Sequence, residues 1–528
     1  ATSFAGNITG NAAGISVTTT NANLGIITAS AFHGDGSNLD GVSSGPVAQQ
    51  AVTANGATTT IDLSSGNLIY MTQSANTTVA FANTEGNTDV VYLIRVKDDN
   101  TTTRTITWPS TVSWNGGTEP TLLQNAGGAS KQGQTFKLTT RDNGATWYGS
   151  EVVSYDTITG YELWVIGGNE TSGQLGMNQG PSDIAGYSSP VQIPGTDWGK
   201  LGNGYGWNGG AVIRSNKTLW VWGSNSNGGQ LGQNQAESNL PAVSSPVQVT
   251  SAGGWATSSN ASTSIVASKT DGTFYAWGGN GYGNLGINSR VQQSSPIQVP
   301  GTIWPTSKDR LAASSSTTMA IKTDGTLWMM GNNYTGELGQ NQFDTPTNRS
   351  SPVQIPGTTW DKVSQNGGYG AIKTDGTLWM WGNNGHGVLG QNNRTNYSSP
   401  VQVGGDTNWR SLSTDATAAL ATKTDGTLWG WGQAYRGMLG LNASDNVRYS
   451  SPVQVGSDTN WTTKIASGGS MAGGIKTNGE LWVWGFNSKG ALGQNDRTWR
   501  SSPVQIPGTD WVDIQTSGEN GFIFLKST

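Results

Sequence analysis

Proton transfer, thiolate chemistry and zinc binding rely mostly on His and Cys, and this chain of 528 residues has almost none of either. It contains no Cys and two His, His33 and His386, which fall in different domains. Disulfides, thiolate nucleophiles and Cys-ligated zinc are thereby removed, and a Ser-His-Asp triad or a His-rich metal site has too few members. Gly202-x-Gly204-x-Gly206 lacks the strand-then-helix setting that a dinucleotide site needs. A glycosidase needs only two carboxylates. Asp and Glu are scattered through the loops without marking a pair, so a carboxylate-based depolymerase stays as an alternative. No catalytic, cofactor-binding or metal-binding residue is assigned, no cofactor is expected, and the chain is read as non-enzymatic.

The remaining chemistry is recognition. Loops of variable length carry Tyr187, Arg290, Arg349, Arg394, Tyr397, Arg448, Tyr449, Arg497, Trp499 and Arg500. Aromatic faces stack on sugar rings, and Arg forks to hydroxyls or acidic groups. The competing reading is that these Arg and Tyr side chains lie over strand edges. A second loop set carries Tyr282, Tyr334, His386, Tyr435, Arg436 and Phe486 at one recurrent place. Recurrent aromatics at one place in a repeat read as internal packing.

Both loop sets are held by a repeat of about 50 residues, found seven times in the last two-thirds of the chain. Each copy reads roughly Lys-Thr-Asp-Gly-Thr-Leu-Trp-x-Trp-Gly, Gly-x-Leu-Gly-x-Asn, Ser-Ser-Pro-Val-Gln and Trp. The Trp-Gly segments, such as Leu378-Trp379-Met380-Trp381-Gly382, are apolar on both faces, as strands between neighbouring sheets must be. Asp-Gly before them predicts a type I′ hairpin, which pairs Ala371–Thr374 with Thr377–Met380. The Leu of Gly-x-Leu-Gly plugs the space between sheets, and Asn178, Asn341 and Asn495 set turns. The repeat tryptophans, Trp220 and Trp379 among them, are core. So are Trp198, Trp304, Trp360, Trp409, Trp461 and Trp511 after the Ser-Ser-Pro segment. The first Trp-Gly strand, with Trp164, lacks a partner before it, and Phe522-Ile523-Phe524-Leu525-Lys526 supplies one. Such pairing closes the array into a ring without open edges.

These residues resemble the regulator of chromosome condensation family, whose blades carry the same Asp-Gly hairpin, Leu-Trp-x-Trp-Gly strand and Gly-x-Leu-Gly turn. The resemblance implies a seven-bladed β-propeller over residues 155–528, closed by strand 522–526. It does not select a function, because the family includes a nucleotide exchange factor, enzyme inhibitors and interaction modules. Upstream, residues 47–154 alternate in short half-buried runs such as Thr58–Leu63 and Asp89–Val96, which predicts a small β-sandwich. Ile106-Thr107-Trp108-Pro109 and Asp142-x-Gly144-x-Thr146-Trp147-Tyr148-Gly149 resemble a module of phage structural proteins. Residues 1–46 are poor in apolar side chains, and Phe32-His33-Gly34-Asp35-Gly36-Ser37 resembles shaft repeats of bacteriophage fibres. A single such strand cannot bury its few apolar groups, so an extended, trimerising attachment segment is expected. The fold class is therefore all-β, a propeller preceded by a sandwich and a fibre-like segment.

Only 12% of residues are charged and the net charge is −5, which argues against a nucleic-acid footprint. No run of 18 apolar residues offers a membrane span, and no signal peptide is visible, so release by lysis is expected. Together these features point to a phage virion fibre or appendage protein. It would bind other virion proteins through residues 1–46 as a homotrimer and present the propeller to a host-surface glycan or protein. A capsid-decorating or neck protein, and a cellular exchange factor, are the competing readings.

Overall fold

The computed structural model describes residues 49–528 except 66–67, 84–89, 98–103, 115–132, 141–145, 153–159, 170–171, 181, 205–208, 252, 344–346 and 519–520. The 1–46 segment, its trimer and the boundary at 154/155 lie outside the described residues. The chain forms two compact units.

In the first unit a six-stranded and a three-stranded sheet face each other. Phe81 of the smaller sheet meets Trp147 of the larger at 4.9 Å between ring centroids. Ile69, Met71, Val91, Leu93, Phe136 and Leu138 fill the core, and the buried Ile69, Met71 and Gln73 follow the period of two. From Gln49 to Trp114 the chain passes from one sheet to the other at successive strands. Gln49 pairs with Leu68 and Thr58 with Thr78, both in parallel register. This part of the sandwich thus winds as a coil, and the last two strands, Gly133–Thr139 and Trp147–Val152, lie side by side in the larger sheet. Arg95 is buried among the apolar groups, where its Nε donates to Gln73 Oε1 at 2.6 Å. Burial pulls its pKa down to about 10.

The second unit is a ring of seven four-stranded blades among the described residues. In blade 5 the inner strand is Trp360–Gln365, the second Gly368–Lys373, the third Leu378–Gly382 and the outer Tyr397–Gln402. The third strands are buried on both faces because neighbouring blades cover each side. Blade 1 takes its inner strand Trp511–Thr516 and second strand Gly521–Lys526 from the C-terminal end, and its third strand Tyr161–Gly168 from the start of the repeats. Trp164 faces Phe524 in this ladder, so the ring closes through the expected strand, joined by one more. The 16-residue strand Gly186–Leu201 is the outer strand of blade 1 and then the inner strand of blade 2.

The hairpin turn differs from the expected type. Lys373 pairs with Thr377 across a three-residue Thr-Asp-Gly loop, and only Gly376 takes a positive φ, of 77°. A type I turn followed by a left-handed glycine does this, whereas type I′ would need Asp375 left-handed too. Asp375 accepts instead from the amide and hydroxyl of Thr377 at 3.0 and 2.7 Å. These hydrogen bonds favour the observed turn, which also spares Asp375 the left-handed strain of type I′.

Candidate recognition face

Each third strand ends at its repeat glycine or one residue beyond, and the outer strand starts directly opposite. All loops from third to outer strand therefore emerge on one face of the ring, with the turns from inner to second strand. The Asp-Gly turns occupy the other face. Three recurrent contacts fix the loop bases. A buried Asn after the third strand accepts from the Leu amide of Gly-x-Leu-Gly, as Asn384 does from Leu389 at 2.9 Å. The second Trp of the next blade donates to the carbonyl before that Leu, as Trp381 does to Glu337 at 2.8 Å. Asn178, Asn234, Asn288, Asn341, Asn392, Asn442 and Asn495 all sit at φ near +55° and donate their amides to a Ser of the next outer strand. The turn-setting role expected for these Asn residues extends to binding blade to blade.

The ten expected recognition residues all fall on this loop face, and they separate into two groups. Tyr187, Arg349, Tyr397, Tyr449 and Arg500 occupy one repeat position, opposite the third-strand glycine, and are half-buried. Tyr187 donates to Gln179 at 2.6 Å and Tyr397 accepts from Asn393 at 3.0 Å, which ties both to their own loops. Arg290, Arg394, Arg448, Arg497 and Trp499 are exposed. The second loop set is less internal than expected: Tyr282 is 48% and Tyr334 61% exposed. Phe486 of the same set does pack against the core, as expected. The exposed Val291, Phe343 and Val447 share this face, while Ile303 lies on the other.

One place departs from the repeat. Asn169, Asn225, Asn280, Asn333, Asn384 and Asn487 hold the loops of six blades, but blade 6 has Ala434 at this position. Its loop makes a short 3₁₀ turn, Tyr435–Gly437, in which Arg436 is left-handed at φ 54°. The guanidinium carbon of Arg436 lies 4.0 Å from the Phe486 ring of blade 7, 4.6 Å from Tyr435 and 5.5 Å from Trp499. Trp499 is 44% exposed and meets Phe486 at 5.4 Å. Arg500 pairs with Asp496 at 2.6 Å. The Thr498 amide, aided by Arg500, holds Asp496 below the ordinary carboxylate value of 3.8. The structure therefore brings Trp499 and Arg500 together with Tyr435, Arg436 and Phe486, which had read as packing. The absent Asn at 434 was the signal in the sequence that could have marked them.

The central channel offers less. Polar side chains of the inner strands stitch it closed: Gln365 Nε2 donates to the Ala312 carbonyl at 2.7 Å, and Gln515 to Asn260 at 2.5 Å. About 60 Å³ is left, room for a few waters. Lys308 of blade 4 reaches Asp513 of blade 1 at 2.5 Å across the ring. Burial would raise the Asp513 pKa, but Lys308 and Lys464 hold it below 3.8. Among the described residues no group of three or more His, Cys, Asp or Glu is placed to hold a metal.

The fold and its recurrent contacts define a seven-bladed propeller of Trp-Gly repeats. The chain belongs to the RCC1-like domain family, whose family model matches residues 162–523. It is 30% identical over 186 residues to the ultraviolet-B receptor UVR8 of Arabidopsis thaliana, covering 34% of this chain and 41% of that protein. It is 28% identical over 282 residues to the mitochondrial RCC1 domain-containing protein RUG3 of the same plant, covering 51% of this chain and 61% of that protein. The chain thus spans about half the length of these curated relatives. Among solved structures, Prp20p of Saccharomyces cerevisiae, described with its binding to Gsp1p and histones, superposes with a TM-score of 0.60 at 17% identity. That match covers 70% of this chain and 92% of Prp20p. Human WBSCR16 gives 0.59 at 19% identity, covering 70% and 99%. At such identity the likeness concerns the fold.

Proposed function

We propose that this chain is a phage virion fibre or appendage protein whose propeller binds a host-surface glycan or protein without covalent chemistry. The observation that carries the recognition role is the inequality of the two faces. Every large hydrophobic residue found exposed on the propeller, Ile303 excepted, stands on the loop face beside the exposed Arg290, Arg394, Arg448 and Arg497. Exposed apolar groups rimmed by polar ones mark interaction sites. The virion assignment rests on the fibre-like and phage-like phrases of residues 1–154. In this reading residues 1–46 bind other virion proteins and form a homotrimer, and weak contacts are multiplied by copies per particle.

The test is direct. The purified full chain is applied to an array of bacterial surface polysaccharides, and polymer length is followed on incubation. Retention on one class of glycan with no shortening supports recognition. No retention overturns recognition of a glycan and leaves only a protein receptor within the reading. Shortening of the polymer makes the chain a depolymerase. Antibody labelling of a phage particle that carries the chain decides the virion assignment.

A further inference from the structure

We infer that the Arg436–Trp499 cluster between blades 6 and 7 is a subsite for a carboxylated sugar. The inference rests on the recognition reading above and names its ligand. Three observations carry it.

The first is the break in the repeat. Blade 6 gives up the buried Asn clamp for Ala434 and places Arg436 in the left-handed region at φ 54°. The equivalent residues of blades 3, 4, 5 and 7, Tyr282, Thr335, His386 and Lys489, are not left-handed, and blade 2, whose loop is one residue longer, uses a glycine, Gly228, for the left-handed place. A glycine would take this conformation without strain, so an Arg here runs against local stability. Lys217, Ile303 and Ser470 are left-handed too, but Arg436 is the one of these that stands in a loop from third to outer strand, beside aromatic side chains, where such strain is a mark of function.

The second is the state of that Arg. Asp445 Oδ1 takes its backbone amide at 2.8 Å, while its Nε is buried with no hydrogen-bond acceptor among the described residues. With its guanidinium carbon held 4.0 Å from the Phe486 ring, the side chain has its two terminal nitrogens, and not the buried Nε, left to meet a carboxylate.

The third is the company it keeps. Trp499, exposed and propped against Phe486, offers a flat face for the C–H side of a pyranose ring. Its ring centre lies 5.5 Å from the Arg436 guanidinium carbon. A carboxylate on a sugar ring carbon spans that separation when the ring stacks. The loops 433–448 and 486–500 carry five Lys and Arg against two Asp, in a chain of net charge −5. This sector is thus electropositive by composition and draws an anionic polymer.

Calorimetric titration of the full chain with oligogalacturonate tests the subsite, with dextran as the neutral sugar and polyglutamate as the acid without a pyranose. Oligogalacturonate binds in preference to both, and more weakly as salt rises. Trp499→Ala lowers affinity about tenfold or more. Arg436→Gly removes binding while raising Tm, which separates a ligand role from a structural one. Equal binding of dextran or polyglutamate overturns the inference. So does unchanged binding by both variants, and if such variants still hold the glycan that the array identifies, recognition by the loop face survives without this subsite. No binding of any glycan by the parent chain overturns the subsite together with glycan recognition.

Discussion

The Thr-Asp-Gly turns of blades 4, 5 and 6 are each a relay of two hydrogen bonds that ends on a tryptophan. Asp375 accepts from Thr377, and the Thr377 hydroxyl accepts from Trp379 Nε1 at 2.9 Å. Asp271, Asp324 and Asp425 form the same Asp–Thr pair, and hydrogen bonds from Thr273, Thr326 and Thr427 hold their pKa values below 3.8. Asp375 is lowered likewise by Thr377. A carboxylate with a lowered folded-state pKa contributes stability that is present above its unfolded value and lost as pH falls through the folded one. Tm should therefore hold near neutrality and fall as pH drops below about 4, where the unfolded carboxylates begin to take up protons. Asp375→Asn should flatten part of that decline. In blade 2 the turn glycine is replaced by Lys217, left-handed at φ 63°. Lys217→Gly should raise stability by about 1 kcal/mol, read by denaturant titration.

At the scale of the blade, the same side chain that fills a core also ties the next blade on. Trp222, Trp277, Trp381, Trp431 and Trp484 each donate Nε1 to the preceding Gly-x-Leu-Gly segment. Trp381→Phe keeps most of the volume and loses the bond, so a loss of about 1 kcal/mol is expected. Trp381→Ala should cost about 3–5 kcal/mol, because it also leaves a cavity. In every blade a cation lies between two rings: Lys373 stands 4.9 Å from Trp360 and 4.1 Å from Trp379, and Arg214 takes this place in blade 2. The Lys of the Lys-Thr-Asp-Gly phrase is thus a packing residue, and each sandwich adds about 0.5–1 kcal/mol.

At the scale of the ring, closure is doubly fastened. Two C-terminal strands enter blade 1, and Asp513 on the inner one is bound by Lys308 from across the channel and by Lys464 at 3.8 Å. Asp513→Asn removes the charge opposite a largely buried Lys308 and should cost about 3 kcal/mol. Ending the chain at residue 510 should do far more: blade 1 keeps two strands with an open apolar edge, and the ring loses its cooperative melt and aggregates. A truncated chain that still melts in one sharp transition at the parent Tm would refute closure as the source of rigidity.

How much of this was legible depended on whether a feature repeats. Because one rule applied seven times leaves few alternatives, seven variants of Leu-Trp-x-Trp-Gly made the blades, the buried second tryptophans and the closing strand readable, whereas first tryptophans such as Trp220 and Trp379, expected in the core, are half-buried. The left-handed Asn residues were readable for the same reason, although their bond to the next blade was not. The turn type was misread, since Asp-Gly suits two hairpin geometries and the Asx hydrogen bond to Thr377 chooses between them. The winding of residues 49–114 between the two sheets was also hidden, because alternation reports which face is buried and not which strand pairs with which. The sequence alone determined the repeated local code: periods, turn residues and the ring they imply. Only the tertiary structure decided what the break in that code at Ala434 brings together. Arg436, Phe486 and Trp499 are up to 63 positions apart in the chain and become neighbours only when blade 6 docks on blade 7.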